Sequence, residues 1–136
     1  MGAVLSDRAQ AFLREVHFAV LSTINKDGTP QLTTMWYLLE DDDCIVMNTQ
    51  VHLQKAKNLR RDPRCAVCIQ DGPHSVSING TIEIIEDQET IRRDLQQLVE
   101  RYKQDEETRR EYMATYVQQQ RIALRLRCEK VSEFFA

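Results

Sequence analysis

The chain is poor in the residues that break structure. Its 136 residues hold only 4 Gly, 3 Pro and one Trp. So little Gly and Pro excludes a collagen-like or low-complexity chain. At 42% hydrophobic and 29% charged residues, the composition also excludes a wholly disordered one. No apolar run reaches the roughly 18 residues of a membrane-spanning helix, so no membrane partner is expected. The first residues, Met1 to Arg8, have no basic stretch leading into an apolar one. A secretory leader is therefore not expected, and the location expected is cytoplasmic, with reduced thiols. There is no excess of positive charge. The 18 basic side chains face 21 acidic ones, net −3, which argues against general nucleic-acid binding. Several catalytic signatures are missing: Gly-x-Ser-x-Gly, the phosphate loop Gly-x-x-x-x-Gly-Lys, Gly-x-Gly-x-x-Gly and His-Glu-x-x-His. No catalytic side chain is singled out. No metal is expected either. His17, His52 and His74 are scattered, and the Cys65/Cys68 pair lacks a second pair to complete a zinc site. That pair also lies in a β-branched, apolar segment. On a strand its two sulfurs would point to opposite faces.

What is present is an ordered alternation of patterns. Ser6 is placed to cap a helix carrying Ala9, Phe12, Leu13 and Val16 at helical spacing. The apolar run Phe18–Ile24 ends at Asn25-Lys26-Asp27-Gly28, a hairpin signal, and a return strand is expected over Gln31–Leu39. Four acids, Glu40 to Asp43, read as a solvated turn before a third strand, Cys44–Thr49. A helical pattern over His52–Arg61 stops at Asp62-Pro63. Arg64–Gln70 returns to strand. His74–Ile85 alternates and contains Asn79-Gly80, which by local chemistry marks a hairpin or a glycine bulge. Gln88–Arg101 and Glu107–Gln120 are helical, with Ile91, Leu95, Leu98, Tyr112, Met113 and Tyr116 inward. Ile122, Leu124 and Leu126 alternate with Ala123, Arg125 and Arg127 in a half-buried strand running toward Val131 and Phe134. No linker or repeat interrupts the order, so residues 1–136 form one domain. About six strands in so short a chain predict an α+β, mainly β fold: an antiparallel barrel with flanking helices.

The segment richest in chemistry runs from Asn48-Thr49 into the helix holding Lys55, Lys57, Arg60 and Arg61, and on to Arg64. The first turn of a helix leaves N–H groups free, and Lys55 lies in that turn, so a phosphate or other anion could seat there. The alternative is a basic helix that is merely well solvated.

Together with Gly28-Thr29-Pro30-Gln31-Leu32-Thr33-Thr34-Met35-Trp36-Tyr37, this run resembles the split β-barrel flavin-binding family. Pyridoxamine 5′-phosphate oxidases and flavin/deazaflavin oxidoreductases belong to it. Val76 to Glu83, with Gly80 inside, resembles a later strand of the same family. The resemblance covers residues 8 to 86 well and the rest by order of elements. It implies a six-stranded antiparallel split β-barrel in which Asn79-Gly80 lies within a continuous strand. It also implies a homodimer with the cofactor between subunits. An apolar set that includes Met35, Trp36 and Tyr37 is expected to be exposed and to pair the two copies. By the same resemblance the ring system lies along Gln31–Trp36. Thr33 and Thr34 would be at its polar edge, with Met35 or Trp36 packed nearby. Asn48 and Thr49 would line the ribityl chain, Gln54 and Lys55 would hold the phosphate, and Ser75 would touch the ring.

The activity so implied is hydride transfer between a reduced cofactor and a small organic substrate. The cofactor carries the hydride and the protein supplies position and shielding. Coenzyme F420 is expected ahead of FMN. The basic cluster offers more charge than one phosphate requires, and Gln31–Thr34 lacks the arginine typical of FMN-holding oxidases. A protein that binds cofactor without turnover is the alternative of a different class. Pyridoxamine 5′-phosphate oxidation is less expected, because the familiar oxidase continues into a C-terminal Arg/His segment where this sequence ends at Phe135-Ala136.

Overall fold

The computed structural model describes residues 5–41 and 43–136. Residues 1–4 and Asp42 lie outside them, and so do parts of two expectations, on the leader and on the acidic turn. Helix α1 (Asp7–Arg14) starts where the Ser6 hydroxyl accepts the Ala9 N–H at 3.0 Å. Ala9, Phe12 and Leu13 are buried, but Val16 lies beyond the helix end and is exposed, contrary to the helical pattern. Strands β1 (Ala19–Ile24) and β2 (Pro30–Met35) form the expected hairpin. Its turn is closed by Asn25 N–H to Thr29 O at 2.8 Å, with Gly28 at φ +89°.

The expected Gln31–Leu39 strand is broken. Trp36 and Tyr37 separate β2 from β3 (Leu38–Glu40). The break has a tertiary cause. The Tyr37 ring turns into the core, its hydroxyl donating to Leu13 O at 2.8 Å, and its N–H is taken by the Tyr102 hydroxyl at 3.2 Å. Strand β4 (Cys44–Gln50) leads to α2 (Gln54–Arg61), then β5 (Arg64–Asp71) and β6 (His74–Ile85). Strand β6 runs 12 residues without a turn at Asn79-Gly80. This overturns the hairpin reading and agrees with the family pattern. Gly80 is needed for close approach: a Cβ there would sit 2.5 Å from the Arg127 carbonyl oxygen. Helices α3 (Gln88–Tyr102) and α4 (Glu106–Tyr116) follow, and α4 stops four residues short of the expected Gln120. The last expected strand divides into β7 (Arg121–Arg127) and β8 (Lys130–Phe134).

The strand order is β2-β1-β5-β6-β7-β4-β3, with β8 on the first half of β6. All pairs are antiparallel. Long β6 is shared. His74 to Thr81 pair with β5, while Ile82 to Ile85 pair with β7. The result is a mainly β split barrel with helices flanking it. The two divided strands bring the count among the described residues to eight. Its core joins Leu13, Leu21, Tyr37, Ile45, Met47, Ile78 and Leu124, all essentially inaccessible. Strand β7 is not half-buried as its alternation suggests. Ala123 and Arg125 on its other face are buried too, with Ala123 packed against Ile91 and Leu95 of α3. Cys65 and Cys68 diverge as a strand requires. Cys65 is buried, its thiol pKa pushed up to about 12 by burial, and Cys68 is half-exposed. Among the described residues no helix is long and apolar enough to cross a membrane.

Candidate functional site

The end of β2, the end of β4 and the start of α2 converge on one cleft, roofed by α3 and by the α4–β7 junction. Its volume is about 210 Å³. Thr34, Met35 and Trp36 form one side, and Asn48, Thr49 and Lys55 another. Leu95, Leu98, Tyr116 and Arg121 close it. Trp36 is held in a cluster of rings. It stacks on Tyr102 at 4.9 Å and 11°, with Tyr112 at 5.6 Å.

Two cations line the cleft. Lys55 is half-buried and donates to the Thr33 hydroxyl at 3.3 Å. Arg121 donates to Asn48 Oδ1 at 2.8 Å and Gln119 Oε1 at 2.6 Å, and lies over the Tyr116 ring at 4.6 Å. Neither cation has a carboxylate partner among the described residues. Burial lowers the pKa of both, and the charge of Arg121 lowers that of Lys55 further. Two buried neutral groups, the Asn48 side-chain N–H₂ and the Thr49 hydroxyl, have no hydrogen-bond partner among the described residues. A buried polar group without a partner costs about 1–3 kcal/mol, so these atoms favour a polar occupant. The first turn of α2 adds to this. Its cap residue, Leu53, offers no side-chain acceptor and no acid sits in that turn. Two cations, an amide, a hydroxyl and free helix N–H groups suit a phosphate-bearing group.

Six of the ten expected site residues line this cleft: Thr34, Met35, Trp36, Asn48, Thr49 and Lys55. Thr33 joins through its bond from Lys55. Gln54 turns away to Asn58 Oδ1 at 2.8 Å. Gln31, opposite Thr23, and Ser75, between Gln70 and Phe134, do not line it. The basic cluster disperses. Arg60 pairs with Glu86 at 2.6 Å, Arg61 bonds the Ile24 carbonyl, and Arg64 pairs with Asp62 at 2.7 Å. These three therefore do not follow the cleft, which removes the charge argument built on them. Arg121 is a cleft residue outside the expected set. Its signal, an arginine opening a strand opposite Gln50, becomes legible only with the β4–β7 register.

Met35 and Tyr37 are buried and Trp36 is half-buried, so they are not the exposed set expected to pair two copies. Exposed large apolar residues beside the first hairpin include Phe18, Val20 and Leu32, and Val117 is exposed next to Tyr116. Val20 lies opposite Thr34, and Leu32 lies two residues before it on the same face, so this strip borders the cleft.

Two sheets sharing one long strand, with a cation-lined cleft at the end of the first hairpin, define the split-barrel class. The profile of the family described as "Pyridoxamine 5'-phosphate oxidase" matches residues 5–135, and the chain belongs to that family. Among solved structures it is similar to the conserved hypothetical protein Rv2991 from Mycobacterium tuberculosis. Identity there is 31%, covering 96% of this chain and 85% of that one, with TM-score 0.81. It is also similar to a protein named F420 Reductase, at 20% identity over 94% and 98% of the two chains and TM-score 0.74. A Listeria innocua protein provisionally described as a pyridoxamine 5′-phosphate oxidase matches at 20% identity over 96% and 98%, TM-score 0.73. The last two show the likeness of fold alone.

Proposed function

We propose that the protein is an oxidoreductase that holds a phosphate-bearing deazaflavin, coenzyme F420, in this cleft, with FMN as the second reading. The observation that carries the proposal is the pair of half-buried cations, Lys55 and Arg121, with no carboxylate partner among the described residues, beside the orphaned Asn48 and Thr49 groups. Lys55 and the first-turn N–H groups of α2 would hold the phosphate. Arg121 would meet a second anionic group, and Trp36 and Met35 would pack beside the ring. When bound, the cofactor supplies the hydride chemistry. The residues bind, orient and exclude water, and no acid, base or nucleophile of the chain is required.

F420 is favoured because Gln31–Thr34 is uncharged and because a structural neighbour bears the name F420 Reductase. One observation favours FMN: with Arg60, Arg61 and Arg64 engaged elsewhere, the two cleft cations match a single terminal phosphate.

A homodimer belongs to the same proposal. A cleft of about 210 Å³ falls short of the roughly 300–1,000 Å³ of ligand pockets, so a second copy would complete the enclosure. The exposed strip Phe18, Val20 and Leu32, bordering the cleft, gives it a surface to pack on. Gln31 and Ser75 would then reach the cofactor only at that interface. The substrate class that fits this reading is a small organic molecule able to take up or give a hydride.

The experiment is a visible absorption spectrum of the protein as purified, then titration with F420 and with FMN followed by Trp36 fluorescence. Quenching with micromolar or tighter F420 binding supports the first reading. Tight FMN binding with no response to F420 selects the second. No response to either removes the proposal. Light scattering should give a dimer at micromolar concentration, and a monomer would contradict the shared site.

A further inference from the structure

Away from the cleft, Glu15, His17 and Asp71 bring one ligand atom each to within 4.8 Å of one another. None of the three lines the cleft. They come from two separate parts of the chain. Glu15 caps the C-terminus of α1, and His17 lies in the connector to β1. Asp71 ends β5. The β1–β5 register explains the meeting. Ala19 pairs with Ile69, so continuing that antiparallel register, two residues before Ala19 and two after Ile69, brings His17 opposite Asp71.

The arrangement is held in place from behind. The His17 ring stacks on Phe12 at 4.5 Å, and its side chain is only 11% exposed. Arg101 of α3 donates to the carbonyls of Leu13, Arg14 and Glu15 at 3.0, 3.1 and 2.7 Å. The Tyr102 hydroxyl donates to the His17 carbonyl. The backbone carrying two of the three groups is therefore fixed by α3. His17 Nε2 already lies 3.1 Å from Glu15 Oε1. The Asp71 carboxylate makes no hydrogen bond or ion pair among the described residues.

We propose that Glu15, His17 and Asp71 form a binding site for a divalent cation of the zinc class. One imidazole nitrogen and two carboxylate oxygens are ligand types zinc accepts, and three protein ligands leave a position for water. Ligand atoms about 2.1 Å from a tetrahedral ion lie roughly 3.4 Å apart. The Glu15–His17 spacing of 3.1 Å is already within that, and the widest spacing, within 4.8 Å, must close by at most about 1.4 Å. Both carboxylates are exposed and their rotamers can supply that movement. A bound ion would clip the exit of α1 to the β5–β6 turn. Its ligands come from elements far apart in sequence, so it would raise the melting temperature.

The test is calorimetric titration of the metal-free full chain with zinc chloride near neutral pH. One equivalent should bind with micromolar affinity and raise the melting temperature. Asp71→Asn and His17→Gln should each weaken binding at least tenfold. Asp71→Asn is nearly isosteric at an exposed position, so its fold should be unchanged even if His17→Gln loosens the Phe12 stack. Cys68→Ser and His74→Ala should bind as the parent does. Absence of saturable binding up to millimolar zinc, parent-like affinity in Asp71→Asn, or loss of binding in Cys68→Ser would overturn the proposal.

Discussion

Strand β7 carries two buried or half-buried arginines four residues apart, and they have opposite surroundings. Arg125 is 5% exposed and fully answered. It makes two bonds to Asp94, at 2.6 and 3.0 Å, and lies 3.4 Å from Glu40. Burial alone would lower its pKa, but the hydrogen bonds and charge of Asp94, with Glu40, outweigh this and the net shift is upward. Among the described residues Arg121 has only neutral hydrogen-bond partners, Asn48 and Gln119, and its shift is downward because burial dominates. One arginine ties α3 to the sheet. The other holds an unanswered charge beside Lys55 in a cleft. The contrast supports the proposal that an anionic ligand seats beside Arg121 and Lys55.

The largest effect that could break this comparison is at the answered site. Asp94→Ala leaves Arg125 buried without its main partner and should cost about 3–5 kcal/mol, read as a lower urea midpoint. A loss below 1 kcal/mol would mean that Arg125 finds water and that the two sites are alike. Next is Lys55→Ala. It should weaken cofactor binding by about 1.5–3 kcal/mol, the range for a hydrogen bond to a charged group, while stability stays nearly unchanged. Calorimetry on the parent and variant reads both. A smaller effect is salt. Both cleft cations are only partly buried, so affinity should fall as ionic strength rises from low to physiological. A salt-independent affinity would place the anion elsewhere.

The smallest effect is a slope with pH. Burial, and then the charge of Arg121, hold the Lys55 pKa in the folded chain below its ordinary value of 10.5. Over the interval between the two values the unfolded chain binds more protons, so stability of the free protein rises as pH climbs toward 10.5. Below the folded value the full cost of the buried charge is present. Urea midpoints of the parent and Lys55→Met across that range should differ in slope, and the parent's slope should flatten when cofactor is bound. Equal slopes would show that Lys55 is solvated.

What was legible in the sequence was local. Asp27-Gly28 closes a hairpin because its turn chemistry needs no distant partner, and Ser6 caps α1 through a bond three residues away. Lys55 was legible because strand end, connector and helix start follow one another in the chain. What was misread depended on distant contacts. Asn79-Gly80 has the chemistry of a turn, yet Gly80 is there because the Arg127 carbonyl passes so close. Trp36-Tyr37 reads as strand, yet Tyr102 and Leu13, far along the chain, capture Tyr37 and break it. The run from Lys57 to Arg64 reads as one patch, yet its arginines find Glu86, Ile24 and Asp62 separately. Arg121 was invisible because only the register with β4 sets it beside Asn48.

The most direct test of the central claim is the pair of measurements on Arg121→Met: cofactor affinity and urea midpoint, each with F420 and with FMN. The unanswered charge is expected to serve the ligand and not the fold. Affinity for the cofactor that the parent binds should then fall at least tenfold, with the midpoint of the free protein unchanged or slightly higher. Parent-like affinity together with a large loss of stability would contradict it, and would make Arg121 a second structural arginine like Arg125.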